Sequence, residues 1–464
     1  MVVPGLELAD LQELEDRGAV GLLVPANGET TSGAQARASL VRGEMRNSFL
    51  DGGIPEGTPL VSLETAAAPP ATGPVIVLGI PSGGEQPNDR RYPVAVLGEG
   101  FRGLLTSDST RLPGVVSIAD IAPTALGEPD GLGSGPMADA AARVLELDRL
   151  IDRKKDARLA GSLLAGVLIL LLAIGFPRAA LLAYGTALVA NLALGASETA
   201  TMWIVLLAFC AAVAIAIPLG FVLRSAFALG AGLTGVLGLY LVAFLVDGTF
   251  VAYSPWGPAQ AGRFYGVTNL LETILLVPAL AGATLLARSF GWAGFAPVAA
   301  LALVLVGGGR FGADGGGLVV FAVGFAVLAV LLWQLRGRAL AGALAAGALI
   351  VAGALAAGSS HVTEALGDGP GELASRLQDR LVISWERATL GAGPAVMVLV
   401  CLALLVVLVV ATLRSDAPLT RRALPLAFAA AIGVSLAVND APNDVAAAGL
   451  VGYATCTAVM LRAR

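Results

Sequence analysis

Charge is scarce in this chain. Only 14% of its 464 residues are Asp, Glu, Lys or Arg, against about a quarter in an average soluble domain, and that shortage excludes a wholly soluble protein. Lysine stops at Lys155 and histidine is reduced to His361. The three cysteines, Cys210, Cys401 and Cys456, all fall in apolar runs. They form neither a disulfide framework nor a metal-ligand spacing, and read as small buried hydrophobes. No basic stripe interleaved with aromatics exists, which excludes nucleic acid as a partner. No Walker motif exists either, which excludes ATP-driven transport by this chain alone. The start, Met1-Val2-Val3-Pro4-Gly5, lacks a basic stretch followed by an apolar one.

The charge that is present is unevenly placed. Residues 1–158 carry 22 acids and 14 bases, net −8, whereas residues 159–464 carry 12 acids and 15 bases, net +3. The chain therefore reads as a soluble domain, 1–158, followed by a multi-pass transmembrane domain, 159–464, with the lipid bilayer as its first partner. Apolar runs of spanning length lie near 159–176, 179–195, 201–223, 226–246, 267–287, 292–307, 317–335, 339–358, 394–413, 424–438 and 445–461. That is an all-α bundle of about eleven helices, with a tight turn at Pro177-Arg178.

An odd number of spans puts the two ends of the bundle on opposite faces, and loop charge then chooses the orientation. One set of connections holds Arg178, Arg224, Arg288, Arg336, Arg338, Arg414, Arg421, Arg422, Arg462 and Arg464 against the single acid Asp416; the other set is acid-rich. The first set is expected in the cytoplasm, with residues 1–158 extracytoplasmic in the cell envelope. The cluster Arg153-Lys154-Lys155-Asp156-Ala157-Arg158 argues the other way, and ten loop arginines outweigh it. A domain exported in this manner calls for a leader upstream of the printed Met1.

Within 1–158, helical periodicity covers 7–18 and 31–45, apolar strand-like runs lie at 19–25, 74–80, 92–98 and 115–121, and 137–158 reads as a charged helix leading into the first span. Helices alternating with strands predict an α/β layer with a largely parallel sheet. The segment 103–126, GLLTSDSTRLPGVVSIADIAPTAL, resembles the closing part of alkaline-phosphatase-superfamily domains, in which S-x-S-T-R-x-P-G-x-V runs into D-I-A-P-T. Val3-Pro4-Gly5-Leu6 and Gly18-Ala19-Val20-Gly21-Leu22 resemble the opening of such domains, in the bacterial subgroup where the domain precedes many membrane spans. Catalytic members hold two metals with Asp and His and use a Ser or Thr nucleophile. Here 1–158 contains no histidine, and Thr30 or Thr31, in roughly the nucleophile's region, has no base recognisable nearby. The resemblance thus implies a degenerate domain with no catalytic residue, no metal and no cofactor. Ser107, Ser109, Thr110 and Arg111 either form a turn between Gly103 and Gly114, with Asp120 capping the next helix, or bind an anion.

Ionisable residues inside spans are costly and mark candidate sites. Tyr265, Asn269 and Glu272 are spaced to share one helix face, with Arg263 just before them. The run Arg263-Phe264-Tyr265-Gly266-Val267-Thr268-Asn269-Leu270-Leu271-Glu272 resembles an R-F-Y-G-x-x-N-x-x-E segment of the same family. In a functional reading Arg263 binds an anion, while Asn269 and Glu272 position a polar head group or carry a proton; in a structural one an Arg–Glu pair fixes helix packing. Asp440 and Asp444, in Asn439-Asp440-Ala441-Pro442-Asn443-Asp444, either join that site or cap the following helix. Leu373, Leu377, Leu381 and Trp385 recur every four residues, the pattern of a helix lying on the membrane interface. The function expected is an envelope membrane protein that translocates, or assists in modifying, a lipid-linked or anionic substrate. The competing readings are an active metal-dependent phosphotransferase or phosphohydrolase, and a membrane scaffold.

Overall fold

The computed structural model describes residues 7–50, 58–61, 74–258, 264–342, 345 and 370–462. The chain forms two compact units, one of Met1–Arg153 with Pro258–Tyr265, the other of Lys154–Gly257 with Gly266–Arg464.

The first unit is built around β1 (Gly18–Val24), whose run GAVGLLV is buried at all seven positions, as in a strand covered on both faces. Gly18 lets β5 (Tyr92–Leu97) approach; a Cβ there would lie 2.2 Å from the Val96 carbonyl oxygen. The sheet order is β3 (Val75–Leu78), β5, β1, β6 (Gly103–Thr106), β8 (Gly133–Gly135), with β7 (Val115–Ser117) also paired to β1. The expected largely parallel sheet is corrected to a mixed one. β1 runs parallel to β6 and β7 but antiparallel to β5, and the β3–β5 and β6–β8 pairs are antiparallel. Parallel neighbours need a crossover, usually helical. The link from β3 to β5 carries only the short β4 (Gln86–Pro87), paired to β2 (Thr30–Thr31), so β5 returns antiparallel.

Three helices complete this unit's layers. The turns over Leu8–Arg17, including α1 (Leu11–Leu14), and α2 (Gly33–Arg42) match the periodicity. Ser32 caps α2 by accepting from the Gln35 N–H at 3.3 Å, and Gly43, at φ 65°, ends it. α3 (Ile121–Leu126) follows β7.

Nine helices among the described residues are long and apolar enough to cross a membrane, and a tenth is shorter. They are α4 (Ala140–Gly175), α5 (Pro177–Ala196), α6 (Met202–Val222), α7 (Ala226–Val246), α9 (Asn269–Phe290), the shorter α10 (Trp292–Gly307), α11 (Gly315–Trp333), α13 (Ala392–Arg414), α14 (Leu419–Val438) and α15 (Pro442–Arg462). Each coincides with an expected span; the expected span 339–358 lies almost wholly outside the described residues. Nine such helices are those of a multi-pass membrane protein. The charged helix and the first span are one element, α4, which stops at Gly175 so that Pro177 can open α5. The short α8 (Thr249–Tyr253) and α12 (Pro370–Thr389) complete the set.

α9 is the centre of the second unit. It is largely apolar, and 94% of its span is buried. Small residues bring its neighbours close: a Cβ on Gly282 would meet the Thr234 hydroxyl at 3.0 Å, and one on Gly452 the Phe428 ring at 2.4 Å. α13, by contrast, is only 17% buried and leaves Leu399, Val406 and Val407 exposed, as for a helix facing lipid.

Candidate functional site

The N-terminus of α9 is set by local chemistry. Gly266 takes φ 81°, and the Thr268 hydroxyl accepts from the Leu271 N–H while donating to the Trp256 carbonyl at 2.8 Å. The helix therefore begins at Asn269. This corrects the expected shared helix face: Asn269 and Glu272 are in the first turn, but Tyr265 precedes the helix. Arg263 lies outside the described residues.

Two rungs join this turn to the segment after α14. The Asn269 amide donates to Asp440 Oδ1 at 2.8 Å, and the Asn439 amide donates to Glu272 Oε2 at 2.7 Å. Asn439 also donates to the Ser435 hydroxyl at 2.8 Å, which engages both of its N–H groups. Arg387, near the end of α12, donates to the Asp440 carbonyl and to Asp440 Oδ2, each at 3.0 Å. Asp314 caps α11 by accepting from the Gly317 N–H at 3.0 Å. Gly316 permits this crowding, since a Cβ there would lie 2.7 Å from Asn439 Oδ1 and 3.5 Å from Asp314 Oδ1.

Burial grades across the cluster. The Asp440 side chain is 42% exposed and that of Arg387 26%, while Glu272 is fully buried. Glu272 Oε1 has no hydrogen-bond partner among the described residues. Asp444 stands apart from this site: it is in the first turn of α15 and pairs with Arg158 at 2.5 Å. Asn443 does not cap that helix either, and its side-chain oxygen is buried without a partner among the described residues. Ser435, Asp314 and Arg387 were not singled out from sequence. Asp314, directly before a glycine-led apolar run, carries a helix-cap signal that could have found it.

A second polar network is complete in itself. Asn191 donates to the Tyr240 and Ser254 hydroxyls at 3.0 and 2.9 Å and accepts from the Trp256 N–H at 3.0 Å. The Trp256 indole donates to Ser162 and stacks on Phe209. Lys154, from the basic cluster before the first span, is buried and donates to the Ala252 carbonyl. With its polar groups paired, this network holds α8 in place.

In the first unit the Ser-Asp-Ser-Thr-Arg segment folds as a turn closed on itself. Ser107 and Ser109 both donate to the Asp120 carboxylate, which also accepts from the Ser117 N–H at 2.9 Å. Thr110 donates to the Val115 carbonyl. Asp120 precedes α3 without capping it through its side chain. The Arg111 guanidinium, on a backbone at φ 51°, lies 4.0 Å from the centre of the Tyr265 ring, within the same unit. Thr30 does have an acid beside it: its hydroxyl donates to Glu85 at 2.6 Å. That bond, with Arg46, holds the Glu85 carboxyl below the usual carboxylate range. A carboxylate so stabilised is a weak base, so the pair serves to clasp β2 to β4. Among the described residues no three His, Cys, Asp or Glu side chains gather as they would around a metal ion.

Compared with protein-family models, curated proteins and solved structures, the chain finds no match. Its function must be read from the site. The structure brings Asn269, Glu272 and Asp440 together, sends Asp444 to Arg158, and engages Ser109 and Thr110 within their own turn.

Proposed function

We propose that this multi-pass membrane protein handles a lipid-linked or anionic substrate, translocating it or assisting its modification, at the cluster of Asn269, Glu272, Arg387, Asn439 and Asp440. The observation that carries this reading is the convergence of three separate segments on one graded polar site inside an apolar bundle. Polar groups in such surroundings are costly unless they serve a purpose. Arg387, part exposed and hydrogen-bonded to Asp440, suits an anionic group of the substrate. Asn269 and Asp440 then face its hydroxyl or amide groups. The loop arginines support placing this site and the first unit on the extracytoplasmic side. We read the first unit as a non-catalytic, alkaline-phosphatase-like binding module. Its motif resemblance and the engagement of its serines by Asp120 support that assignment.

The test is complementation of a chromosomal deletion at matched protein levels. Arg387→Ala and Asp440→Asn should each lower function about tenfold to a hundredfold, the equivalent of losing one charge-assisted hydrogen bond. Substitution of Asp444, outside the site, should leave function intact. Full complementation by both site variants would sink the proposal and favour a scaffold.

A further inference from the structure

Glu272 presents an unsolved problem of charge. It is fully buried in the first turn of α9. One carboxyl oxygen accepts from Asn439, whose other N–H is taken by Ser435, so that amide has no donor left for the second oxygen. That second oxygen, Oε1, has no partner among the described residues. A further acid, Asp314, itself 6% exposed, lies on the other side of Gly316 from Asn439. Among the described residues no lysine or arginine pairs with Glu272. Asp440 is held by Arg387 and Asn269, and Asp444 by Arg158.

A fully buried carboxylate with one unpartnered oxygen and no basic partner among the described residues carries a large desolvation penalty. A proton on Oε1 resolves this. It removes the charge from the buried carboxyl group. A metal cation would need several oxygen ligands, and no three acidic side chains gather here among the described residues. We infer that Glu272 is a proton-binding site, loading and releasing one proton as the substrate site works, an inference that rests on the proposed function of the same cluster. Asn269, in the same first turn of α9, is bonded to Asp440, whose side chain is 42% exposed.

The experiment is infrared difference spectroscopy of the purified full-length protein, recorded between neutral and alkaline pH. A carbonyl band of a protonated carboxyl in apolar surroundings is expected in the wild type, lost as pH rises. Glu272→Gln should lack that band at every pH, and Asp440→Asn should keep it. Asp314→Asn guards against a variant that fails to fold. Its band should persist at neutral pH, with a changed pH of disappearance. Identical spectra from wild type and Glu272→Gln would overturn the inference. Loss of the wild-type band on adding NaCl at constant pH would also overturn it, and would assign the site to a metal cation. These outcomes are separable from the substrate reading: a band with fully complementing site variants defeats only the latter, and defective variants without a band defeat only the proton.

Discussion

Gly195→Ala should destabilise the membrane unit by about 3 kcal/mol, at the upper end of what a misfitting methyl group does in a packed interior. A Cβ at this position of α5 would lie 1.8 Å from the Phe250 carbonyl oxygen and 2.9 Å from the Ser254 backbone nitrogen. Both obstacles are backbone, so no flexible side chain can yield. Nor can α8 simply move away. Asn191 holds Ser254 and Trp256, and Lys154 holds the Ala252 carbonyl, so displacing α8 would strip several buried polar groups of their partners. Thermal unfolding of the purified protein in detergent checks this, with Gly232→Ala as the control. A Cβ on Gly232 meets nothing within 4 Å, and alanine there should be neutral or stabilising by up to about 1 kcal/mol through helix propensity. Equal stability of the two variants would mean that α8 does not sit against α5 in this way.

Asp120→Ala should loosen the first unit by about 3 to 4 kcal/mol. The Asp120 carboxylate accepts from two serine hydroxyls and one backbone N–H, and it is 6% exposed. Removing it leaves Ser107 and the Ser117 N–H buried without their acceptor, each at a cost of about 1 to 3 kcal/mol. The readout is hydrogen exchange followed by mass spectrometry on the full chain. Protection of residues 103–126 should fall by about two to three orders of magnitude, while Asp108→Ala, at an exposed position of the same turn, should change it little. Unchanged protection in Asp120→Ala would show that the motif is not held by this carboxylate.

That motif also shows how far sequence reasoning reaches. The serines, the glycines and Asp120 were all visible as a turn, but the direction of their hydrogen bonds was not. Asp120 was expected to cap the helix after it, whereas its carboxylate turns back to Ser107 and Ser109. The sheet is a similar case. The apolar runs at β1, β3, β5 and β7 are legible from composition, while β8, Gly133-Ser134-Gly135, has no strand-forming residue and exists only because β6 pairs with it. Parallel or antiparallel pairing depends on how the chain travels between strands, which no local pattern records.

The same boundary runs through the membrane unit. Ten of the expected spans coincide with helices, because hydropathy sums over neighbouring residues and the bilayer or core acts on that sum directly. Glu272 and Asn269 were recognisable as polar residues in an apolar helix for the same reason. Their partners were not, for Asn439 and Asp440 lie 167 and 171 residues further along the chain. Tyr265 was placed on the helix face by spacing alone, until Gly266 and the Thr268 cap started the helix after it. What the sequence determined by itself is the division into a charged domain and an apolar bundle, and the lengths and ends of most helices, since these follow from local free energies of transfer and capping. Which acid faces which amide, and which carboxyl oxygen is left without a donor, was decided by the packing of distant helices, because hydrogen bonds between them exist only once the bundle has closed.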